Sequence, residues 1–300
     1  MERRVAEWLG ALARIAAFVA LFGLLGIALG ALWGMLPERL QDPLAAQAVV
    51  VSIAALAAGA LLIRVVDRRA VAALGLAFSR TAVQHVWIGV VIGAAGLVAA
   101  AAAMLATGVL EYGAQPGTPA GWITTVAVHA VMFTVAAFAE EVLFRGYAFQ
   151  VLARTAGPVA AIVVSSVLFS IAHGANPSVG LFALVNIFLA GILLAIAYLR
   201  TLSLWFATAV HMGWNWAMAS LFDLPVSGLQ MFDTPLYEPV VEGPGWWSGG
   251  GFGPEGGLVG TLGFAIALLL TVRWRRVQPD PSIAAARPLV LRSEGELDAG

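Results

Sequence analysis

Long runs of apolar residues, separated by short polar connections, are the main pattern of the 300-residue chain. A helix needs roughly 20 such residues to cross a hydrocarbon core of about 30 Å. Eight runs have this length, and they lie near 15–36, 45–66, 85–109, 121–143, 157–174, 178–199, 202–222 and 257–273. The pattern predicts an all-α, polytopic membrane protein with about eight transmembrane helices.

Composition agrees with this interpretation. The chain is 61% hydrophobic and only 11% charged, whereas soluble domains are about 25% charged. The first apolar run is longer than the 7–15 residues of a signal-peptide core, so it is predicted to be a retained helix. The absence of cysteine excludes disulfides, thiolate zinc sites and a cysteine nucleophile. The sequence has no nucleic-acid signature, so no nucleic-acid partner is expected. The apolar runs make the lipid bilayer the expected environment.

The arginines predict an orientation. All 16 basic residues are arginine, and most of them flank alternate connections. These are Arg3, Arg4, Arg14, Arg68, Arg69, Arg154, Arg200, Arg273, Arg275 and Arg276. The other connections contain a single arginine, Arg39. By the positive-inside rule, both termini are cytoplasmic and the number of spans is even.

The chain is predicted to form one membrane-embedded domain over 1–276, followed by a polar cytoplasmic tail over 277–300 that is expected to be disordered. The segment 223–255 is rich in Gly, Pro and Trp, and it carries acids but no arginine. It is predicted to be an extracytoplasmic loop, with Trp246 and Trp247 at the membrane interface.

Two adjacent acids, Glu140 and Glu141, interrupt the fourth apolar run. An ionisable residue at membrane depth is expensive and indicates a functional site. On a helix, Glu141 and Arg145 are four residues apart in the favourable order, so we expect them to pair. Glu140 lies about 100° around the same helix and is left for chemistry.

Polar residues also occur in later runs. His173 ends the fifth run, and His211 and Asn215 share one face of the seventh. Together with the acids of the fourth run, they predict one polar site made by three separate spans. His129 and Asn186 are interpreted as packing groups instead.

Three motifs carry a family resemblance. They are Glu140-Glu141-x-x-x-Arg145, Phe169-x-x-x-His173 and His211-x-x-x-Asn215. In this order they resemble the signature motifs of the CPBP family (Abi, type II CAAX prenyl endopeptidase) of glutamate-dependent intramembrane proteases. The resemblance covers about 120–215, and it implies a hydrolase in which Glu141 and Arg145 hold the helix and its carboxylates in place.

The resemblance also implies the catalytic roles. Glu140 and His173 would activate a water, and His211 and Asn215 would stabilise the oxyanion that forms during peptide hydrolysis. The substrate would be a membrane-associated peptide or protein, and the location a bacterial cytoplasmic membrane.

The sequence leaves metal dependence open. Glu140, His173 and His211 have the donor set of an open three-ligand zinc site, but no HExxH helix fixes its geometry. The metal-free arrangement is favoured, because a general base with an amide that stabilises the oxyanion already explains the presence of Asn215. No cofactor is required by the sequence.

Two other functions use the same residues. Buried Glu and His side chains relay protons in transporters, so a proton- or ion-coupled transporter is the first alternative. A non-enzymatic immunity or scaffold protein is the second.

The proposed site sets a geometric requirement. In the simple topology Glu140 falls toward the cytoplasmic end of its span, and His173 falls toward the outer end of the next. If the fourth helix continued to Ala153, it would be about 50 Å long and would have to protrude, tilt or slide. We therefore expect the Glu140 carboxylate and the His173 ring to lie roughly 3 to 6 Å apart, with one bridging water.

Overall fold

The computed structural model describes residues 2–230 and 233–291. The protein is 73% helical. The α-helices, in chain order, are α1 (Glu2–Trp33), α2 (Pro43–Val65), α3 (Arg80–Ala106), α4 (Pro119–Arg145), α5 (Tyr147–Ala156), α6 (Pro158–Ala172), α7 (Leu181–Thr201), α8 (Leu204–Leu221), α9 (Gly245–Ser248), α10 (Leu258–Arg273) and α11 (Pro281–Ala285). Two short strands, β1 (Leu110–Ala114) and β2 (Tyr237–Val241), pair antiparallel.

Each of the eight predicted apolar runs coincides with a helix. Within the described part of the chain, five stretches are long and apolar enough to cross a membrane, namely α1, α2, α3, α4 with α5, and α7, while α6 and α10 are shorter apolar helices. The protein is therefore an all-α, multi-pass membrane protein. The exact number of eight spans stays a prediction.

Local sequence signals explain where several helices begin. The side chains of Asp42, Thr118 and Ser79 each accept a hydrogen bond from a backbone N–H three residues later. Pro43 and Pro119 follow two of these caps. Short oxygen-bearing side chains satisfy donors that have no partner within the helix, and proline is pre-organised for the first turn.

Helices α3 and α8 pack with their backbones in close contact, because glycines face the crossing. A Cβ atom on Gly213 would lie 2.4 Å from the carbonyl oxygen of Val90, and one on Gly93 would lie 2.0 Å from that of Val210. Small residues allow this approach in lipid, where no hydrophobic force drives helices together. The packing fixes α8, the helix that carries His211 and Asn215.

The fourth helix does not continue unbroken to Ala153. Helix α4 ends at Arg145, and Gly146 has a non-helical ψ of −128° before α5 begins. The chain then reverses at Gly157, where φ is +90°, and α6 packs back against α5. The chain is thus folded into a hairpin rather than extended through a single long helix.

The tail differs from its prediction over residues 277–291. Val277, Ile283 and Leu289 are buried, and Asp280 accepts a hydrogen bond from the Ser79 hydroxyl at the start of α3 over 2.6 Å. The backbone N–H of Leu289 donates to Gln150 of α5. These apolar residues are few, but they dock on the ends of the helices and order the segment. Residues 292–300 lie outside the described part of the chain.

The segment between α8 and α10 is also more ordered than a plain surface loop. Trp246 is exposed, as expected for an interfacial residue, whereas Trp247 is half-buried and donates from its indole N–H to Thr107 over 3.1 Å. Further along, Phe252 and Glu255 are buried. This segment therefore contributes to the interior of the protein.

Candidate active site

Three helices bring five of the six predicted site residues together. Helix α4 supplies Glu140, Glu141 and Arg145, the end of α6 supplies His173, and α8 supplies His211. The resulting cluster joins spans that are far apart in sequence.

Glu140 is the member of the acidic pair that reaches solvent. Its side chain is 34% exposed, whereas that of Glu141 is fully buried. Its Oε2 atom lies 4.0 Å from Nε2 of His173 and 3.8 Å from Nε2 of His211. The first distance falls within the range predicted from the sequence. Oε2 itself is buried and has no hydrogen-bond donor among the described residues.

The tautomer of His173 follows from its hydrogen bond. Its Nδ1 lies 2.8 Å from the carbonyl oxygen of Phe169. A carbonyl only accepts, so Nδ1 carries a proton, and in the neutral ring Nε2 has the free lone pair. The spacing of four residues between Phe169 and His173 places the ring over that carbonyl.

Glu141 has two partners. Its Oε1 accepts from Nη1 of Arg145 over 3.1 Å, which confirms the predicted pair. The same oxygen accepts from Nδ1 of His211 over 3.0 Å. The sequence did not predict this second contact, which links α4 to α8 and orients the His211 ring so that Nε2 faces Glu140.

Arg145 is fully buried and is held on three sides. Besides its bond to Glu141, it donates from Nη2 to the carbonyl of Gly191 in α7 over 3.0 Å. Its guanidinium carbon lies 4.7 Å from the centroid of the Phe169 ring, a cation–π geometry. The Phe169 ring also lies 4.7 Å from the His173 ring and 5.9 Å from the His211 ring. This phenylalanine therefore packs against the arginine and both histidines.

Asn215 is the predicted residue that does not join the cluster directly. It is half-buried, one helical turn after His211. Among the described residues its side chain makes no hydrogen bond to the other five. Its part in the site stays a prediction. His129 is buried, and its Nδ1 lies 3.0 Å from the Ser220 hydroxyl, which agrees with a packing interpretation.

A sixth polar group, Glu255, was missed by the sequence analysis. It is 4% exposed and lines a small cavity of about 20 Å³ together with His173 and His211. Its Oε1 accepts from the Trp214 indole over 3.0 Å, and its Oε2 accepts from the backbone N–H and the hydroxyl of Ser227 over 2.9 and 2.6 Å. The rest of the cavity wall is mainly apolar.

Burial raises the pKa of Glu255 above its ordinary range, because removal from water penalises the charged carboxylate. The hydrogen bonds from Ser227, the positive charge that His173 and His211 carry when protonated, and the bond from Trp214 act in the opposite direction. Glu255 therefore interacts electrostatically with the two histidines of the cluster.

Asn186 explains how Glu255 is positioned. Its Nδ2 donates to the carbonyl oxygens of Glu255 and Gly257, each over 2.8 Å, and its Oδ1 accepts from Thr261 over 2.7 Å. The buried amide of α7 thus fixes the backbone that leads into α10. The only sequence signal was an amide in an apolar span, which also fits helix–helix packing.

The α5–α6 hairpin resolves the predicted conflict in depth. Glu140 and His173 stand at nearly equal distances along the chain from Gly157. Helix α6 has 15 residues, about 22 Å at 1.5 Å per residue, so it ends before it would cross a hydrocarbon core of about 30 Å. Its end therefore meets α4 at the level of Glu140.

The donor atoms of the cluster do not form a compact zinc site. Both histidine nitrogens approach Glu140, but Glu140, His173 and His211 are not among the groups whose donor atoms all lie within 4.8 Å of one another. Within the described residues, only Asp223, Asp233 and Glu238 form such a group. A tetrahedral zinc with ligands at about 2.0–2.2 Å would need its three ligands closer together.

These features define an all-α membrane protein whose interior holds a cluster of Glu and His side chains next to a partly apolar cavity.

Comparison with protein families narrows the class of protein further. Residues 122–217, about a third of the chain, match the family model described as "Type II CAAX prenyl endopeptidase Rce1-like". The resemblance to the CPBP family predicted from the three motifs is confirmed over this segment. No curated protein and no solved structure gives a significant match. At the level of the family, the match supports a CAAX-protease-type intramembrane endopeptidase.

Proposed function

We propose that the protein hydrolyses a peptide bond of a membrane-associated peptide or protein, with Glu140 and His173 activating the water. The observation that carries this proposal is the unpartnered Oε2 atom of Glu140, which lies 4.0 Å from Nε2 of His173 and 3.8 Å from Nε2 of His211. A buried acceptor without a donor needs a partner, and the catalytic water is proposed to be that partner.

Glu140 and His173 both present acceptors to this water. The Glu140 carboxylate has no proton to give when ionised, and Nε2 of His173 has a free lone pair because Nδ1 donates to Phe169. A water that donates one hydrogen to each keeps an oxygen lone pair for attack. As the oxygen attacks the scissile carbonyl carbon, one of the two groups takes the proton as general base.

His211 and Asn215 are proposed to stabilise the tetrahedral intermediate. Because Nδ1 of His211 donates to Glu141, its Nε2 is free to donate to an oxyanion when the ring is an imidazolium. The Asn215 amide lies one turn further along α8 and adds N–H donors on the same face. Donors that are held in place before the reaction stabilise the developing charge effectively.

The cycle ends with proton return. The carbon–nitrogen bond breaks as the proton taken from water passes to the leaving amine, and the products are a carboxylate and an amine. Neither product requires a redox partner or a cofactor.

The direction of access is also proposed. With both termini cytoplasmic, as the arginines predict, the exposed side of Glu140 would open to the cytoplasm. The cleaved bond would then lie a third to half of the way through the bilayer.

The experiment compares the membrane proteomes of cells that express the wild type, Glu140→Gln or His173→Ala. We expect new peptide termini with the wild type and none with either variant. Glu111→Gln is the matched control, because Glu111 is an exposed acid of β1 outside the cluster. If the same termini appear with Glu140→Gln, the proposed base is wrong.

A further inference from the structure

A second acidic group lies where α8 ends, apart from the Glu–His cluster. Asp223 follows α8, Asp233 lies in the next segment, and Glu238 belongs to β2. One carboxylate oxygen from each lies within 4.8 Å of the other two. These three residues are called the acidic triad below. Three carboxylates at this separation repel one another unless a cation lies between them.

Asp223 points to a ligand in its own right. Its side chain is almost completely buried, with 2% of the residue exposed. Its Oδ1 accepts from the backbone N–H of Thr234 over 3.0 Å, but its Oδ2 is buried and has no donor among the described residues. Buried polar atoms are normally paired, so an acceptor without a donor indicates a missing partner. Next to two more carboxylates, a cation would satisfy this oxygen.

The surrounding residues provide no such cation. The segments 109–118 and 223–257, which form this surface, contain no arginine, lysine or histidine. The neutral amide of Gln115 donates to both oxygens of Asp233 over 2.7 and 2.8 Å. The amide oxygen of Gln115 is itself buried without a donor. Two unsatisfied acceptors thus occur at one acidic group.

The acidic triad is reached from solvent. It lines an open cleft of about 730 Å³, whose wall also includes Gln230. Asp233 and Glu238 are exposed on this cleft, while Asp223 forms its inner end. A hydrated ion can therefore enter and exchange part of its water for carboxylate oxygens.

We propose that the acidic triad binds a calcium ion. All of the donors are oxygens, which excludes a preference for zinc or copper. Calcium takes oxygen ligands at about 2.3–2.6 Å, so opposite ligands lie up to about 5 Å apart, whereas magnesium requires about 2.0–2.1 Å and a tighter octahedron. Carboxylates contributed by three separate segments suit calcium, which accepts oxygen ligands in flexible geometry, better than magnesium, which demands a near-ideal octahedron.

The ion would connect the end of α8 to the β1–β2 ribbon. Asp223 lies two residues after Leu221, the last residue of α8, and Glu238 lies in β2 opposite Gly113 of β1. Helix α8 carries His211, so the calcium site would stabilise the helix that completes the catalytic cluster. The binding site does not depend on the proposed hydrolysis.

The test uses the purified full-length protein in detergent after treatment with EDTA. Thermal unfolding is followed while calcium chloride is added to about 10 mM, above the 10⁻⁴–10⁻³ M range of extracellular calcium modules. We expect the midpoint of thermal unfolding to rise when calcium chloride is added, and to rise much less with magnesium chloride. Glu238→Gln, which changes an exposed residue and should fold, is expected to weaken the calcium response at least about tenfold. Asp223→Asn should abolish it.

Glu111→Gln is the matched control, since it removes an exposed acid of the same ribbon outside the acidic triad, and its calcium response should equal that of the wild type. The proposal is overturned if calcium leaves the wild-type midpoint unchanged or if magnesium acts equally. It is also overturned if Glu238→Gln responds like the wild type. Each readout is independent of peptidase activity, so loss of the proposed function would not affect it.

Discussion

His211 donates a hydrogen bond from Nδ1 to Oε1 of Glu141 over 3.0 Å, and the same oxygen accepts from Arg145. The second acid of the Glu–Glu pair thus contacts a predicted catalytic histidine as well as its structural arginine. From the sequence, Glu140 is predicted to be catalytic and Glu141 only structural, whereas the structure connects Glu141 to the catalytic site as well. Glu141 both neutralises a buried cation and sets the orientation of His211.

Glu141→Ala should therefore lose both stability and activity. Removing one partner of a buried ion pair costs about 3–5 kcal/mol, and the free energy of unfolding should recover partly in the double variant Glu141→Ala/Arg145→Ala. Peptidase activity should not recover with it, because His211 still lacks its acceptor; loss of such an orienting carboxylate lowers turnover by up to about 10⁴-fold. Denaturation and turnover assays on the three proteins check this. If the double variant is active, the hydrogen bond from His211 to Glu141 does not contribute to catalysis.

Glu140 and His173 should behave as a single unit. Both are proposed to bind the same water, so Glu140→Gln and His173→Ala should each lower turnover by about 10²–10⁴-fold. The double variant should lose no more than the worse single variant, as happens for residues that act together. The measurement is kcat with one purified substrate. Losses that multiply would contradict a shared water.

Glu255→Ala should destabilise the protein more than its place in a surface loop would suggest. The Trp214 indole and the Ser227 donors would lose their acceptor, and an unsatisfied buried donor costs about 1–3 kcal/mol. Glu255→Gln keeps one acceptor oxygen and should be milder. Thermal unfolding gives the comparison, with Glu242→Ala, an exposed acid of the same segment, as the control. Equal midpoints for Glu255→Ala and Glu242→Ala would mean that the buried contacts contribute nothing.

Gly213→Ala should loosen the contact between α3 and α8. The added Cβ would lie 2.4 Å from the Val90 carbonyl oxygen and 2.8 Å from its Cα, and overpacking of this kind costs about 1–3 kcal/mol. Gly10→Ala on α1 is the control, since a Cβ there meets nothing within 4 Å and alanine favours a helix. The free energy of unfolding should fall only in the first variant. A neutral Gly213→Ala would show that the helices can separate without penalty.

The helices and the local pairs could be predicted because their signals are local. Apolar runs predict helices through length and composition, and the i, i+4 spacing of Glu141 and Arg145 is sufficient to pair them. Predicting that Glu140, His173 and His211 share one site required more than local signals, namely three motifs in the right order. Its distances depend on how three helices pack.

Glu255 could not be predicted in the same way. It lies in a Gly- and Pro-rich segment whose composition is typical of an exposed loop, and it is buried because Asn186 of α7 and Trp214 of α8 bind that segment while Ser227 binds it from within. The docking of Leu289 on Gln150 has the same origin. Each is decided by contacts between residues that are remote in sequence.

Because the chain reverses at Gly157, the number of residues between the first two motifs determines whether Glu140 and His173 meet. One residue inserted into α6 before Phe169 would shift His173 by about 1.5 Å along the helix and turn it by about 100°, away from Glu140. It would also turn the buried Phe169 ring away from Arg145, although both motifs would remain intact in the sequence. Natural variation in length is therefore expected in the connections outside this hairpin, such as 107–118, and the interval from Glu140 to His173 should be constant.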